Sequence, residues 1–141
     1  MIVVESGVLI AAADTDDRHH TVCRDLFTER SSDFVVPASV VVEVCWILAR
    51  HVSIDVEADF LSSIADGDLR VETLAPTDYR RAAQLVTTYR TLPLDAVDAM
   101  VIATAERLRV TTIATIDRRH FSVVRPAHTG HFELIPQPQP R

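Results

Sequence analysis

The sequence predicts an α/β fold, three layers of helix, sheet and helix built around a central parallel sheet. Two patterns carry that expectation. Short apolar runs of strand length recur along the chain, and stretches with helical spacing of apolar residues separate them. Strands interrupted by helices cannot close as hairpins, so they pair in parallel and need cover on both faces. A third observation sets the domain count: 141 residues with no internal repeat and no linker make one domain. It spans residues 1–135, and the proline-rich tail 136–141 is expected to fray.

Taken in order, Ile2–Glu5 reads as a buried strand meeting a Ser6-Gly7 turn, and Val8–Ala13 as an apolar helical turn. Thr15-Asp16-Asp17 offers caps for a helix to about Arg30, with Val22, Leu26 and Phe27 facing inward. Phe34–Val36 is a second strand, closed by Pro37. Ser39 is the expected cap of a helix Val40–His51, and Asp55 of a helix to about Ala65. Leu69–Leu74 alternates like a strand, and Thr77 can cap a helix through Tyr89. A helix Leu94–Leu108 leads into a strand Val110–Ile116, and one last strand is expected at Phe132–Ile135.

Counting residue types removes several functions. All 14 basic residues are arginine, so neither a Schiff-base lysine nor a P-loop lysine exists. Gly7, Gly67 and Gly130 are too scattered for a GxGxxG loop or a GxSxG elbow, and no HExxH occurs. Cys23 and Cys45, in apolar helical surroundings, read as buried free thiols rather than as metal ligands or a disulfide. No basic segment precedes an apolar one at the start, as a signal peptide would require. The longest run without Asp, Glu or Arg is Phe34–Val42, far below the roughly 20 residues of a membrane span. A cytoplasmic protein is expected. Trp46, amid Val and Ile, reads as core or interface rather than as a base-stacking platform.

The net charge of −6 is unevenly spread. Residues 1–104 hold 8 arginines and 17 acids; residues 105–141 hold 6 arginines and 3 acids, with His120, His128 and His131 beside them. Alone, this is an ordinary mixed surface. Beside a bound cation, it would be a strip for a polyanion.

Four of the 20 acids stand where solvation or capping explains them poorly. Glu5 ends the first strand, and Asp117 follows Val110–Ile116, so both reach the sheet edge where open α/β folds bind ligands. For Asp117, a turn or cap role is about as good a reading. Glu43 has Val40, Val44 and Ile47 as helical neighbours, and an unpaired buried ion there would cost several kcal/mol. A salt bridge to an arginine is its other explanation. Asp98 lies between Leu94 and Ile102 on an inward stripe, while Asp95 takes the capping position. Four converging carboxylates repel unless a cation neutralises them, and magnesium and manganese prefer such oxygen donors. A divalent site beside Arg118, Arg119 and His120, which would hold a polyanion's backbone, suits phosphate-ester hydrolysis.

These residues give the chain its resemblance to PIN-domain ribonucleases, and to the VapC toxins of type II toxin–antitoxin pairs. The likeness runs from Ile2 to about Pro126: Val4-Glu5-Ser6-Gly7-Val8-Leu9, then Pro37 to Val44, then Val97-Asp98-Ala99 opening a helix, then Ile113 to Phe121. It implies a PIN-like α/β/α fold with Glu5, Glu43, Asp98 and Asp117 as catalytic, metal-binding acids. Ser6 and Thr115 would support them, although turn or strand structure is the commoner job of such hydroxyls. It further implies Mg2+ or Mn2+ as cofactor, an RNA substrate, a cognate antitoxin and a homodimer. Glu5 stands where that family has aspartate, and its extra methylene moves the carboxylate by up to about 1.5 Å. Weakened activity with an intact fold is the expectation. Two other readings stand beside a ribonuclease toxin: an impaired PIN-fold protein acting mainly by binding its antitoxin, and a metal-dependent DNA nuclease or phosphatase.

Overall fold

A computed structural model describes residues 1–138. In chain order it contains β1 (Ile2–Val4), α1 (Ser6–Ala13), α2 (His20–Arg30), β2 (Phe34–Pro37), α3 (Ala38–His51) and α4 (Ile54–Ala65). Then follow β3 (Arg70–Glu72), α5 (Pro76–Thr88), α6 (Ala96–Leu108), β4 (Thr112–Ala114), α7 (Arg118–Val123) and β5 (Glu133–Ile135). All pairings are parallel, in the order β3-β2-β1-β4-β5. The expected three-layer α/β/α architecture is therefore the observed one. No helix among the described residues is long and apolar enough to cross a membrane.

The order matters more than the count. Successive crossovers build outward from β1 through β2 to β3, and the chain then returns to place β4 on the other flank of β1. Strand order reverses between β1 and β4, which opens a crevice beyond their C-terminal ends. The register Val4↔Ala114 brings the residues after both strands to one level. β1 and β2 are buried at every position, as a central parallel strand covered on both faces requires. Helix α6 packs across β1 and β2 and against α3 and α5, and α1 packs on α2 and α3.

Strands are shorter than the apolar runs that announced them, for local reasons. Val110 donates its N–H to Ala105 O across Arg109, whose φ of +56° is left-handed, so these residues close α6 before β4 can begin. Glu5 leaves β1 because its carboxylate caps α1, accepting from Gly7 N at 2.6 Å.

Several caps differ from expectation. Asp14 and Asp17 accept from the N–H groups of Asp16 and His19, which winds residues 14–19 into turns and delays α2 to His20. Pro37, not Ser39, holds the cap position of α3; Ser39 lies within the helix, its hydroxyl buried without a partner. Ser53 rather than Asp55 caps α4, accepting from Val56 N. Asp78 reaches back to Ala75 N at 2.9 Å, so α5 starts at Pro76 and Thr77 is not its cap. Asp95 does cap α6, accepting from Asp98 N at 2.9 Å. One helix, α7, was not anticipated.

Cys23 is buried as expected, but Cys45 is only half-buried. Trp46 is no core residue: it is 54% exposed, with the Arg50 guanidinium stacked 4.1 Å above its ring. The tail leaves β5 through Pro136, whose carbonyl accepts from Arg118; the frayed end expected over 136–141 lies outside the described residues from position 139 onward.

Candidate active site

Glu5 anchors the site. It is 6% exposed, and three donors hold its carboxylate: Gly7 N–H, the Ser6 hydroxyl at 3.1 Å and the Thr115 hydroxyl at 2.7 Å. Burial raises its pKa even against those bonds, and Asp117 pushes the same way. Thr115, the residue after β4, also accepts from Asp117 N–H at 3.0 Å and so sets the backbone of the next acid. On the other side, the Ser6 hydroxyl lies hard against Oε1 of Glu43, which α3 brings to the same spot.

Asp98 enters from the first turn of α6 and is 7% exposed. Its pKa is pushed up to about 7, first by burial and then by the charges of Asp95 and Glu5, with the His120 hydrogen bond opposing. His120 Nδ1 sits 2.8 Å from Asp98 Oδ2 and 3.9 Å from Asp117 Oδ2. Asp117 caps α7 through Arg119 N–H, and its side chain is 54% exposed. A continuous path therefore runs Glu43, Ser6, Glu5, Thr115, Asp117, His120, Asp98. Four acids from four distant parts of the sequence meet at one sheet edge.

Supporting side chains differ from the acids in how they were foreseen. Ser6 and Thr115 occupy the places expected of them. Arg118, Arg119 and His120 follow Asp117 as expected but are already engaged. Arg118 donates to the carbonyls of Pro136 and Leu134, Arg119 to that of Leu92, and His120 bonds Asp98. Gly7 and the bridging position of His120 escaped the sequence. A Cβ at Gly7 would lie 3.0 Å from Glu5 Oε1 and 3.2 Å from Oε2, so the missing side chain is the seat of the longer carboxylate. The signal for His120 was its i+3 spacing from Asp117, which places it near that carboxylate only once α7 is known to be helical.

Among the described residues, no three of His, Cys, Asp and Glu stand ready-made to enclose a metal ion. Glu5 turns both oxygens to its own donors, and Asp98 gives one to His120. The donor set nevertheless fits a hard divalent cation. Only carboxylates and hydroxyls converge, burial and then the charges of Asp95 and Glu5 raise Asp98, and one oxygen each of Glu43, Asp98 and Asp117 carries no hydrogen bond.

A switch-point crevice lined with acids at the ends of β1 and β4 defines a class of protein, and the chain matches the PIN domain family over residues 2–125. It belongs to that family. Among relatives, it is 30% identical over 135 residues to ribonuclease VapC26 of Mycobacterium tuberculosis, an alignment covering 96% of this chain and all of that one. Several solved structures share the fold, two of them as follows. VapC20 of M. tuberculosis, described as a sarcin-ricin loop cleaving toxin, matches with a TM-score of 0.75 and 16% identity, over 80% of this chain and 87% of that one. The DNA-bound VapBC of Salmonella typhimurium matches with a TM-score of 0.71 and 13% identity, over 95% and 97%.

Proposed function

We propose that this chain is the ribonuclease toxin of a toxin–antitoxin pair, cutting RNA by divalent-metal-dependent phosphodiester hydrolysis. The observation that carries this reading is the linked set of Glu5, Glu43, Asp98 and Asp117 at the β1/β4 crevice, in a chain related to VapC26 along almost its whole length. Glu43, Asp98 and Asp117 would hold Mg2+ or Mn2+ through their open oxygens, with Glu5 adding charge behind them. Such an ion, when bound, acidifies water and stabilises charge on phosphate oxygens.

The chain's own residues do the rest. Thr115 orients Asp117 through its N–H, and Ser6 sets Glu5 against Glu43. His120, bonded to Asp98 and near Asp117, can move a proton at Nδ1. Arg118 and Arg119 keep guanidinium N–H groups beyond those already bonded, and these would hold the RNA backbone. An antitoxin would silence the site, and the groove of about 560 Å3 lined by Leu9, Ala13, Phe27, Val56 and Phe60 offers the apolar surface such a partner needs. A homodimer is part of the same reading.

Glu5 favours a second reading, an impaired enzyme that acts mainly by binding its antitoxin, because its carboxylate is folded back on Gly7 and the hydroxyls. One assay separates them. With Mg2+ or Mn2+ and matched RNA and DNA oligomers, the toxin cuts RNA alone, chelator abolishes the product, and Asp98→Asn lowers the rate at least a hundredfold. Glu5→Asp raises the rate. No cleavage by this sequence, restored in Glu5→Asp, establishes the impaired form; cleavage of DNA, or cleavage insensitive to chelator, overturns the ribonuclease.

A further inference from the structure

A second cavity, of about 410 Å3, opens next to the segment that leads into Asp117. Thr115 and Ile116, the two residues before Asp117, form part of its wall, so it shares a boundary with the candidate active site. Its other walls come from distant segments: Arg18 in the turn before α2, Val22 on α2, and Pro136 after β5. The volume lies within the roughly 300–1,000 Å3 of small-ligand sites. Val22, Ile116 and Pro136 supply apolar surface of the kind a flat ring can lie against. Arg118 braces the rim by donating to the carbonyls of Leu134 and Pro136. Arg18 is exposed, and among the described residues it joins no ion pair, which leaves a whole guanidinium fork for an anion.

Apolar patches, a free arginine fork and a wall residue, Thr115, that bonds both Glu5 and the Asp117 N–H are complementary to one ligand class. We propose that this cavity is a nucleotide subsite, which takes one unpaired base of the RNA beside the bond that is cut, with Arg18 on that nucleotide's phosphate. The assignment rests on the ribonuclease reading for its substrate. Single-stranded RNA offers such a base because its rings can be splayed out and its phosphates reached together, which a paired base inside a duplex does not. A subsite of this kind would make cleavage depend on sequence next to the scissile bond.

The test uses the full chain, metal-free in EDTA, with methyl NMR of Val22 and Ile116. AMP, GMP, CMP and UMP are titrated separately, and inorganic phosphate serves as the anion control. The subsite gives saturable shifts at both methyls that differ in affinity among the four bases, and Arg18→Glu weakens binding at least tenfold. In the cleavage assay, the same substitution raises KM for RNA about tenfold while kcat changes less than twofold. Equal shifts with phosphate alone, shifts confined to other surfaces, or an unchanged KM in Arg18→Glu overturn the subsite. Those results leave the nuclease standing if the native chain still cuts RNA. Absence of cleavage by both this sequence and Glu5→Asp removes the nuclease, and the mononucleotide titration still decides whether the cavity binds nucleotides.

Discussion

At the residue scale, Glu5 and Gly7 act as a pair. Glycine inside a helix normally costs about 0.5–1 kcal/mol relative to alanine, and less in the first turn, so Gly7→Ala would modestly stabilise α1 if nothing stood in the way. Here the new Cβ meets Glu5 Oε1 and Ile116 Cγ1, each at 3.0 Å, and the carboxylate must leave three donors to make room. Gly7→Ala is therefore expected to destabilise this chain by about 1–2 kcal/mol. The same change in a Glu5→Asp background should cost less, because the shorter side chain does not reach over position 7. Urea unfolding of the four proteins of that cycle checks it, and a coupling near zero would show that the two positions act independently. The backbone after β1 thus accepts an unusual acid because its neighbour has no side chain.

Helices α5 and α6 show how an element is fixed by charge that a linear pattern does not reveal. Asp78 is 1% exposed, yet its carboxylate is satisfied twice over, by Ala75 N–H and by Arg107 Nε, each at 2.9 Å. Arg107 continues to Glu72 at the end of β3 and to the Thr73 carbonyl, and Arg81 pairs with Glu106 through two bonds of 2.7 and 3.0 Å. Removing Asp78 takes away the cap on Ala75 N–H and the bonds to Arg107, which keeps Glu72 and the Thr73 carbonyl. Asp78→Ala should cost about 2 kcal/mol. Arg24→Ala breaks only an exposed pair with Asp25 and should cost under about 0.5 kcal/mol. Comparable losses in chemical denaturation would contradict this ranking. Nothing in the sequence marked Asp78: it looked like one more acid near a helix start, and only packing against α6 buries it.

For the whole molecule, the burial of Asp98, with the nearby charges of Asp95 and Glu5, makes metal-free stability depend on pH. Asp98 has its pKa raised in the fold from an ordinary 3.8 to about 7, so the folded protein holds that proton more tightly than the unfolded chain. Its contribution is fully present below about pH 4 and is lost as pH rises through about 7. In EDTA, thermal melts should show Tm falling across that window, and Asp98→Asn should raise Tm above pH 7 with the gain vanishing towards pH 4. Mn2+ should raise the Tm of the unsubstituted protein above pH 7, because it binds only the folded arrangement, and should do less for Asp98→Asn. A pH-independent effect of the substitution would mean that Asp98 does not hold its proton more tightly in the fold.

The sequence by itself determined the architecture and singled out the four acids that the fold brings to one sheet edge. Alternation of short apolar runs with helical stretches is enough to force a parallel sheet, because strands so separated cannot pair as hairpins and need cover on both faces. An acid such as Glu43 or Asp98 on an apolar helical stripe is conspicuous in one dimension, since burial of charge is costly and calls for a reason. What those acids do with their oxygens was left to the tertiary structure. The turns of residues 14–19, the helix of Arg118–Val123, the seat over Gly7 and the His120 bridge all depend on which neighbour supplies a hydrogen bond. Those neighbours are many residues away along the chain: Thr115 lies 110 positions from Glu5, and Glu43 lies 37 from Ser6. Periodicity records which face a side chain presents, whereas its partner is chosen only when β1 and β4 come side by side.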